Sequence, residues 1–141
     1  MKKITLALCV DEKGGVLLFG KRQSRDRVLI ADFLADAGDK SVLISSFSEI
    51  LFQNVQNVKI CDDPVSSACD GDFVFIENIA LSSVIDSVTE LIIYNWNRHY
   101  PSDVKIDADP IACGFALVKT YDFQGSSHER ITKEIYRRVK E

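Results

Sequence analysis

Apolar positions in this chain fall in short blocks separated by polar, glycine-bearing stretches. Residues 4–10 (ITLALCV) form one such block, which stops at Asp11-Glu12-Lys13-Gly14-Gly15. A short apolar run bounded by charge and glycine predicts a buried strand that empties into a loop. In α/β proteins sites form where strands meet loops, so this junction marks where to look for one. Further strands are expected over residues 41–45, 58–61, 72–76 and 91–96, with a short extension at 16–19.

Between these blocks the pattern turns helical. Residues 24–37 (SRDRVLIADFLADA) carry Val28, Leu29, Phe33 and Ala37 on one face, widened by Ile30 and Leu34. Ser24 is the expected N-cap, Asp26 suits the positive end of the helix, and Gly38 is the stop. Ser46 to Glu49 reads as a capping box opening a brief helix to residue 52. Asp63-Pro64 starts another short helix reaching 69, with proline at its first position. Residues 79–88 are expected as a weak helix.

Short strands without clean alternation, interleaved with helices, predict a mostly parallel sheet covered on both faces. The tail differs. Residues 115–121 and 131–139 are longer and more alternating, and are joined through Gly125-Ser126-Ser127. They read as an antiparallel hairpin at one end of the sheet. The expected fold is α/β, one domain over residues 1–141, an ordinary length for a single core.

Charge narrows the function. Seventeen basic against twenty-one acidic residues give a net charge of −4, which is no footprint for nucleic acid. Lys2 and Lys3 precede an apolar block, but the block runs into charges with no small-residue cleavage site, and nothing resembles a membrane span. A cytoplasmic protein is expected. Cys9, Cys61, Cys69 and Cys113 contain no CxxC pair and read as small hydrophobes. The only histidines are His99 and His128, neither spaced for a metal pair.

The order of elements resembles the dihydrofolate reductase family. LALCVDEKGG is similar to that family's first strand and loop, and Ile30-Ala31-Asp32-Phe33-Leu34 to its first helix. SVLISSFSEIL, DFVFIENIALSSV, TELIIYNW and the closing Ser127-His128 with ITKEIYRR follow in the family's order. The resemblance implies a dihydrofolate reductase-like fold, with Asp32 as the acidic residue that contacts a pterin and supports protonation, and Tyr94 in place of the threonine partnering it. It also shows departures. The family's Gly-Gly turn, which brings backbone amides to NADPH pyrophosphate, is Glu77-Asn78 here. Its Gly-Arg is Ser45-Ser46, its proline-tryptophan motif is absent from GKRQSRDRVL, and its folate-tail arginine has no match in QNVQNVKICDDP. These losses argue against a working NADPH-dependent folate reductase.

What remains is local chemistry. Arg22, Arg25 and Arg27 cluster with Lys21 before and at the start of the helix, and guanidinium forks suit phosphate or carboxylate. Asn95 to Asp103 (NWNRHYPSD) concentrates Trp96, Arg98, His99 and Tyr100 after an apolar strand. Ser127 and His128 are a poor nucleophile–base pair, because neighbours on a strand face opposite ways. Three readings follow. The first is a divergent protein that binds a small anionic or nucleotide-like ligand through Arg22, Arg25, Arg27, Tyr94, Trp96, Arg98 and His99. The second is a reductase of a pterin-like substrate with NADPH as cofactor and Asp32 as proton donor. The third is an interaction protein with a homodimer interface around Trp96 and Tyr100.

Overall fold

The computed structural model describes residues 1–139. Its centre is β1 (Thr5–Val10), which pairs in parallel with both β6 (Phe73–Phe75) and β7 (Glu90–Asn95). Beyond β6 the sheet continues with β4 (Val42–Ile44) and β5 (Val58–Ile60), again in parallel. On the other side β10 (Ile131–Arg138) runs antiparallel to β7, and β9 (Phe115–Phe123) closes that edge. The order is β5-β4-β6-β1-β7-β10-β9. A smaller sheet, β3-β2-β8, joins Gly15–Leu18, Lys21–Arg22 and Val104–Lys105 over the end of β1.

The apolar block at the N-terminus is unbroken because β1 is covered on both faces. Leu6, Leu8 and Val10 face one side and pack with Leu81, Val84, Ile85 and Val65. Ala7 and Cys9 face the other, toward α1 (Arg27–Ala37) with its buried Leu29, Phe33 and Ala37. The fold is thus the expected α/β arrangement, a mixed sheet of mostly parallel strands with an antiparallel C-terminal pair. Helix is sparse. Among the described residues only α1 and α2 (Pro64–Ser67) are α-helical. No helix among the described residues is long and apolar enough to cross a membrane.

Several boundaries differ from the sequence reading. The N-cap of α1 is Asp26, not Ser24, and Asp26 accepts from the amides of Val28 and Leu29. Arg25 therefore lies outside the helix. Residues 79–88 form two single 3-10 turns, Leu81–Ser83 and Ile85–Ser87, instead of one helix. Residues 46–52 are also 3-10, without a side-chain cap. The residue at the cap position is Ser45, whose hydroxyl donates to Asn78 Oδ1 at 3.2 Å, while the Ser48 hydroxyl donates to Glu77 Oε2 at 2.6 Å.

The turn after β1 is organised by Asp11, which is buried. Its carboxylate accepts from the amides of Lys13, Gly15 and Tyr100 and from Gln23 Nε2. Gly14 takes φ 80°, the left-handed region that favours glycine. The glycine-bearing loop is thus a tightly bonded turn tied to the segment that follows β7.

On the α1 face, Phe33 is the hub. It meets Phe52, Phe73 and Phe75 edge-to-face at centroid distances of 6.0, 6.0 and 5.3 Å. Phe33→Ala is expected to cost about 3–5 kcal/mol in urea unfolding, the range for a buried phenylalanine that leaves a cavity. A loss below about 1 kcal/mol would show that this side of the core closes over the gap.

Candidate functional site

Two polar clusters and one ion pair surround the start of α1. The first cluster is built on Asp26. Besides capping α1, its Oδ1 accepts from the amide and hydroxyl of Ser126, at 2.9 and 3.1 Å. Oδ2 accepts from the Ser127 amide at 2.8 Å and faces His128 Nδ1 at 3.1 Å. The hairpin loop between β9 and β10 thereby docks on the helix terminus. His128 is 3% exposed and stacks on Trp96 with ring centroids 4.4 Å apart. Its Nε2 lies 2.8 Å from the Tyr100 hydroxyl and 3.2 Å from Ser24 Oγ. Burial alone would raise the Asp26 pKa. The amide bonds from Ser126 and Ser127 and the His128 contact outweigh it and hold the carboxyl far below the usual range.

The second cluster lies further along α1. Lys133, on β10, is fully buried, and its ammonium donates to Asp32 Oδ2 at 2.6 Å and to Asp36. The Tyr94 hydroxyl donates to the same Asp32 oxygen at 2.7 Å. Burial opposes the lysine charge, but the hydrogen bonds to the two carboxylates overcome it and raise the Lys133 pKa. Burial, then the bond to Asp32, pushes the Tyr94 phenol far above its ordinary value.

The ion pair crosses from the small sheet to the end of β6. Arg22 grips both oxygens of Glu77, donates to the Phe47 carbonyl at 2.9 Å, and lies over the Phe47 ring. Asn78 Oδ1 accepts from the Ser45 hydroxyl at 3.2 Å. Glu77-Asn78 is therefore a bar between two spaces, and on its outer side it lines a cavity of about 210 Å³ with Val16, Leu17 and Lys105. Behind it sits a cavity of about 20 Å³, bounded by Cys9, Arg22, Ser24, Asp26, Glu77 and Trp96 among others. A space that small is on the scale of one water. Burial, then the Glu77 charge, pushes the Cys9 thiol up. Arg25, Asp26, Ile30 and Leu51 also line a wider groove of about 400 Å³, where Arg27, Ile50 and Ser126 join them.

The candidate residues from the sequence separate into three groups. Arg22, Arg25 and Trp96 surround the inner cavity, and Arg25 meets Arg27 in the outer groove. Asp32 and Tyr94 do come together, but within the Lys133 cluster and not on the cavity wall. Arg98 and His99 are exposed on the loop after β7, and neither lines the cavity or the groove. Trp96 is 4% exposed, covered by the chain's own His128, so its indole offers no surface to a partner. Sequence reading missed the Ser24, Asp26 and His128 cluster. Ser24 and Asp26 look like helix-start residues, and no local pattern ties them to a histidine over 100 positions away.

The loop's approach to Asp26 is close enough to test. A Cβ on Gly125 would run into the Asp26 carboxylate and Ile131 Cδ1. Gly125→Ala is expected to cost about 1–3 kcal/mol in urea unfolding, as overpacking does. A folded-state pKa below the unfolded value near 4 stabilises the protein above that value and is lost as pH falls toward the folded pKa. Asp26→Asn is therefore expected to be less stable than wild type at pH 7, and the gap should shrink as pH falls from about 5 to 2. A gap independent of pH would rule out the ionised carboxylate as the tie.

No protein-family model matches the chain, and no curated protein matches it. Among solved structures it is similar to a dihydrofolate reductase from Enterococcus faecalis complexed with NADP(H) and RAB-propyl. The TM-score is 0.70 at 12% sequence identity, over 98% of this chain and 97% of that one. At this identity the likeness shows the fold: the chain has a dihydrofolate reductase-like α/β architecture.

Proposed function

We propose that this protein binds a small organic anion with an apolar body in the groove at the start of α1, and that it is not a folate reductase. The observation that carries the reading is the pair Arg25 and Arg27. Both are exposed, both line the groove, and neither has an ion-pair partner among the described residues. Beneath them run Ile30, Leu51 and Ile50, the last of which is 50% exposed. Two guanidinium forks over an apolar strip suit a carboxylate, sulfonate or phosphate attached to a ring or chain.

Against the reductase reading stand two points of geometry. Glu77 places a carboxylate at the end of β6 and spends Arg22 on itself, so a cofactor phosphate would meet negative charge there. Asp32 Oδ2 already accepts from Lys133 and from the Tyr94 hydroxyl, so that oxygen is committed to the chain's own donors.

The test uses 8-anilinonaphthalene-1-sulfonate, which carries one sulfonate on an aromatic body. It is expected to bind the folded protein with one site, and Arg25→Ala and Arg27→Ala are each expected to weaken it about tenfold, the loss of one charge-assisted bond. Binding unchanged in the double variant would overturn the groove as the site. Millimolar NADPH is expected to leave the melting temperature unmoved. A rise would restore the reductase reading, since any ligand of the native state stabilises it.

A further inference from the structure

We propose that Ser24, His128 and Asp26 form a nucleophile–base–orienter set, and that Ser24 is the catalytic nucleophile of an acyl-transfer activity on small esters. The reading rests on the geometry at His128 and stands apart from the anion groove.

His128 Nδ1 faces Asp26 Oδ2 at 3.1 Å, so that nitrogen carries the proton and donates it to the carboxylate. Nε2 is left as an acceptor, and Ser24 Oγ lies 3.2 Å from it. A hydroxyl on one imidazole nitrogen and a carboxylate on the other is the arrangement that lets a serine lose its proton as it attacks. The set is held rigidly. The Asp26 side chain is fully buried and fixed by the Ser126 and Ser127 amides, and the imidazole is stacked on Trp96. The Tyr100 hydroxyl, at 2.8 Å, donates to the same Nε2 lone pair at rest, so that hydrogen bond turns away as the Ser24 proton arrives. Ser24 itself is only half-buried, the most exposed of the three.

The cavity adds a second observation. Gln23, on its wall, holds a buried Oε1 with no hydrogen-bond donor. A buried acceptor without a partner is costly and calls for a donor. A water in the cavity would supply it, and that water would lie beside Ser24. The cavity of about 20 Å³ holds no more than a water, so the ester approaches Ser24 from its exposed side.

The chemistry balances without any cofactor. Ser24 Oγ bonds to the ester carbonyl carbon as its proton passes to His128 Nε2. The bond to the leaving oxygen then breaks, and the imidazolium returns the proton to it, releasing the alcohol. Water, deprotonated by the same nitrogen, attacks the acyl-serine; the free acid departs and Ser24 regains its proton. Asp26 is a positioning residue, holding the tautomer that leaves Nε2 basic.

Diisopropyl fluorophosphate tests the nucleophile directly, because it phosphorylates a serine only where a base activates it. The full chain is expected to take up one adduct by intact mass, mapped to Ser24 by peptide sequencing and absent from Ser24→Ala. His128→Gln is expected to slow labelling by about 10²-fold or more. Asp26→Asn should slow labelling of the folded fraction as well, which a purely structural tie would not do. No adduct, an adduct on Ser126, Ser127 or Tyr100 instead, or labelling of Ser24 at an unchanged rate in folded His128→Gln would each overturn the proposal. If His128→Gln does not fold, the absence or presence of the Ser24 adduct in the wild-type chain still decides.

Discussion

The carboxylate of Asp26 is the interaction on which the arrangement at the helix start depends. It satisfies two of the amides that open α1 and, on its other side, the amides of Ser126 and Ser127. One side chain thus joins segments 100 positions apart, and it does so while 2% exposed. A buried charge survives only where donors converge on it, so the position of the β9–β10 loop and that of the helix terminus cannot change independently. With Asp26 removed, the amides it serves would be buried without partners at both ends.

A second tie makes α1 and the C-terminal hairpin one unit. Lys133 reaches from β10 to Asp32 and Asp36, two turns further along the same helix. Two carboxylates four residues apart on a helix repel each other in water; here a buried ammonium lies between them. The α1 face that packs on the sheet is therefore set twice, at its first turn by Asp26 and near its last by Lys133. The apolar hub around Phe33 fills the space between those ties.

Much of the sheet was legible in the sequence because buried parallel strands have a direct signature: short apolar blocks, no alternation, ends marked by Asp and Gly. The C-terminal hairpin was legible through its alternation. The helix start was displaced by two residues because Ser24 and Asp26 are both good caps, and only the docked loop decides between them. Asp32 reads, by the resemblance, as the carboxylate facing a pterin, since nothing near it in sequence announces Lys133. Charge compensation over 97 positions or more leaves no local trace. The same holds for Arg22 and Glu77: each was visible as an anomaly, one a cation before a helix, the other a carboxylate where the resemblance implies glycine. Their pairing, which turns two anomalies into one closed bar, belongs to the tertiary structure.

The ends of the parallel strands are where a doubly covered sheet ordinarily offers its backbone to a ligand. In this chain those ends are occupied by the chain itself. Asp11 after β1 is saturated by the amides of its own turn, Ser45 after β4 bonds Asn78, and Glu77 after β6 holds Arg22. Polar groups already paired at short range must be unpaired before they can bind anything else, and each such exchange gives back what it gains. Exposed charge lies to one side, at the N-terminal edge of α1, in the Arg25 and Arg27 guanidinium groups. The strand ends are thus tied to the chain itself, while these two cations, unpaired among the described residues, lie at the helix edge. Glu77 stands where the resemblance implies glycine, and Arg22 neutralises its charge from the small sheet.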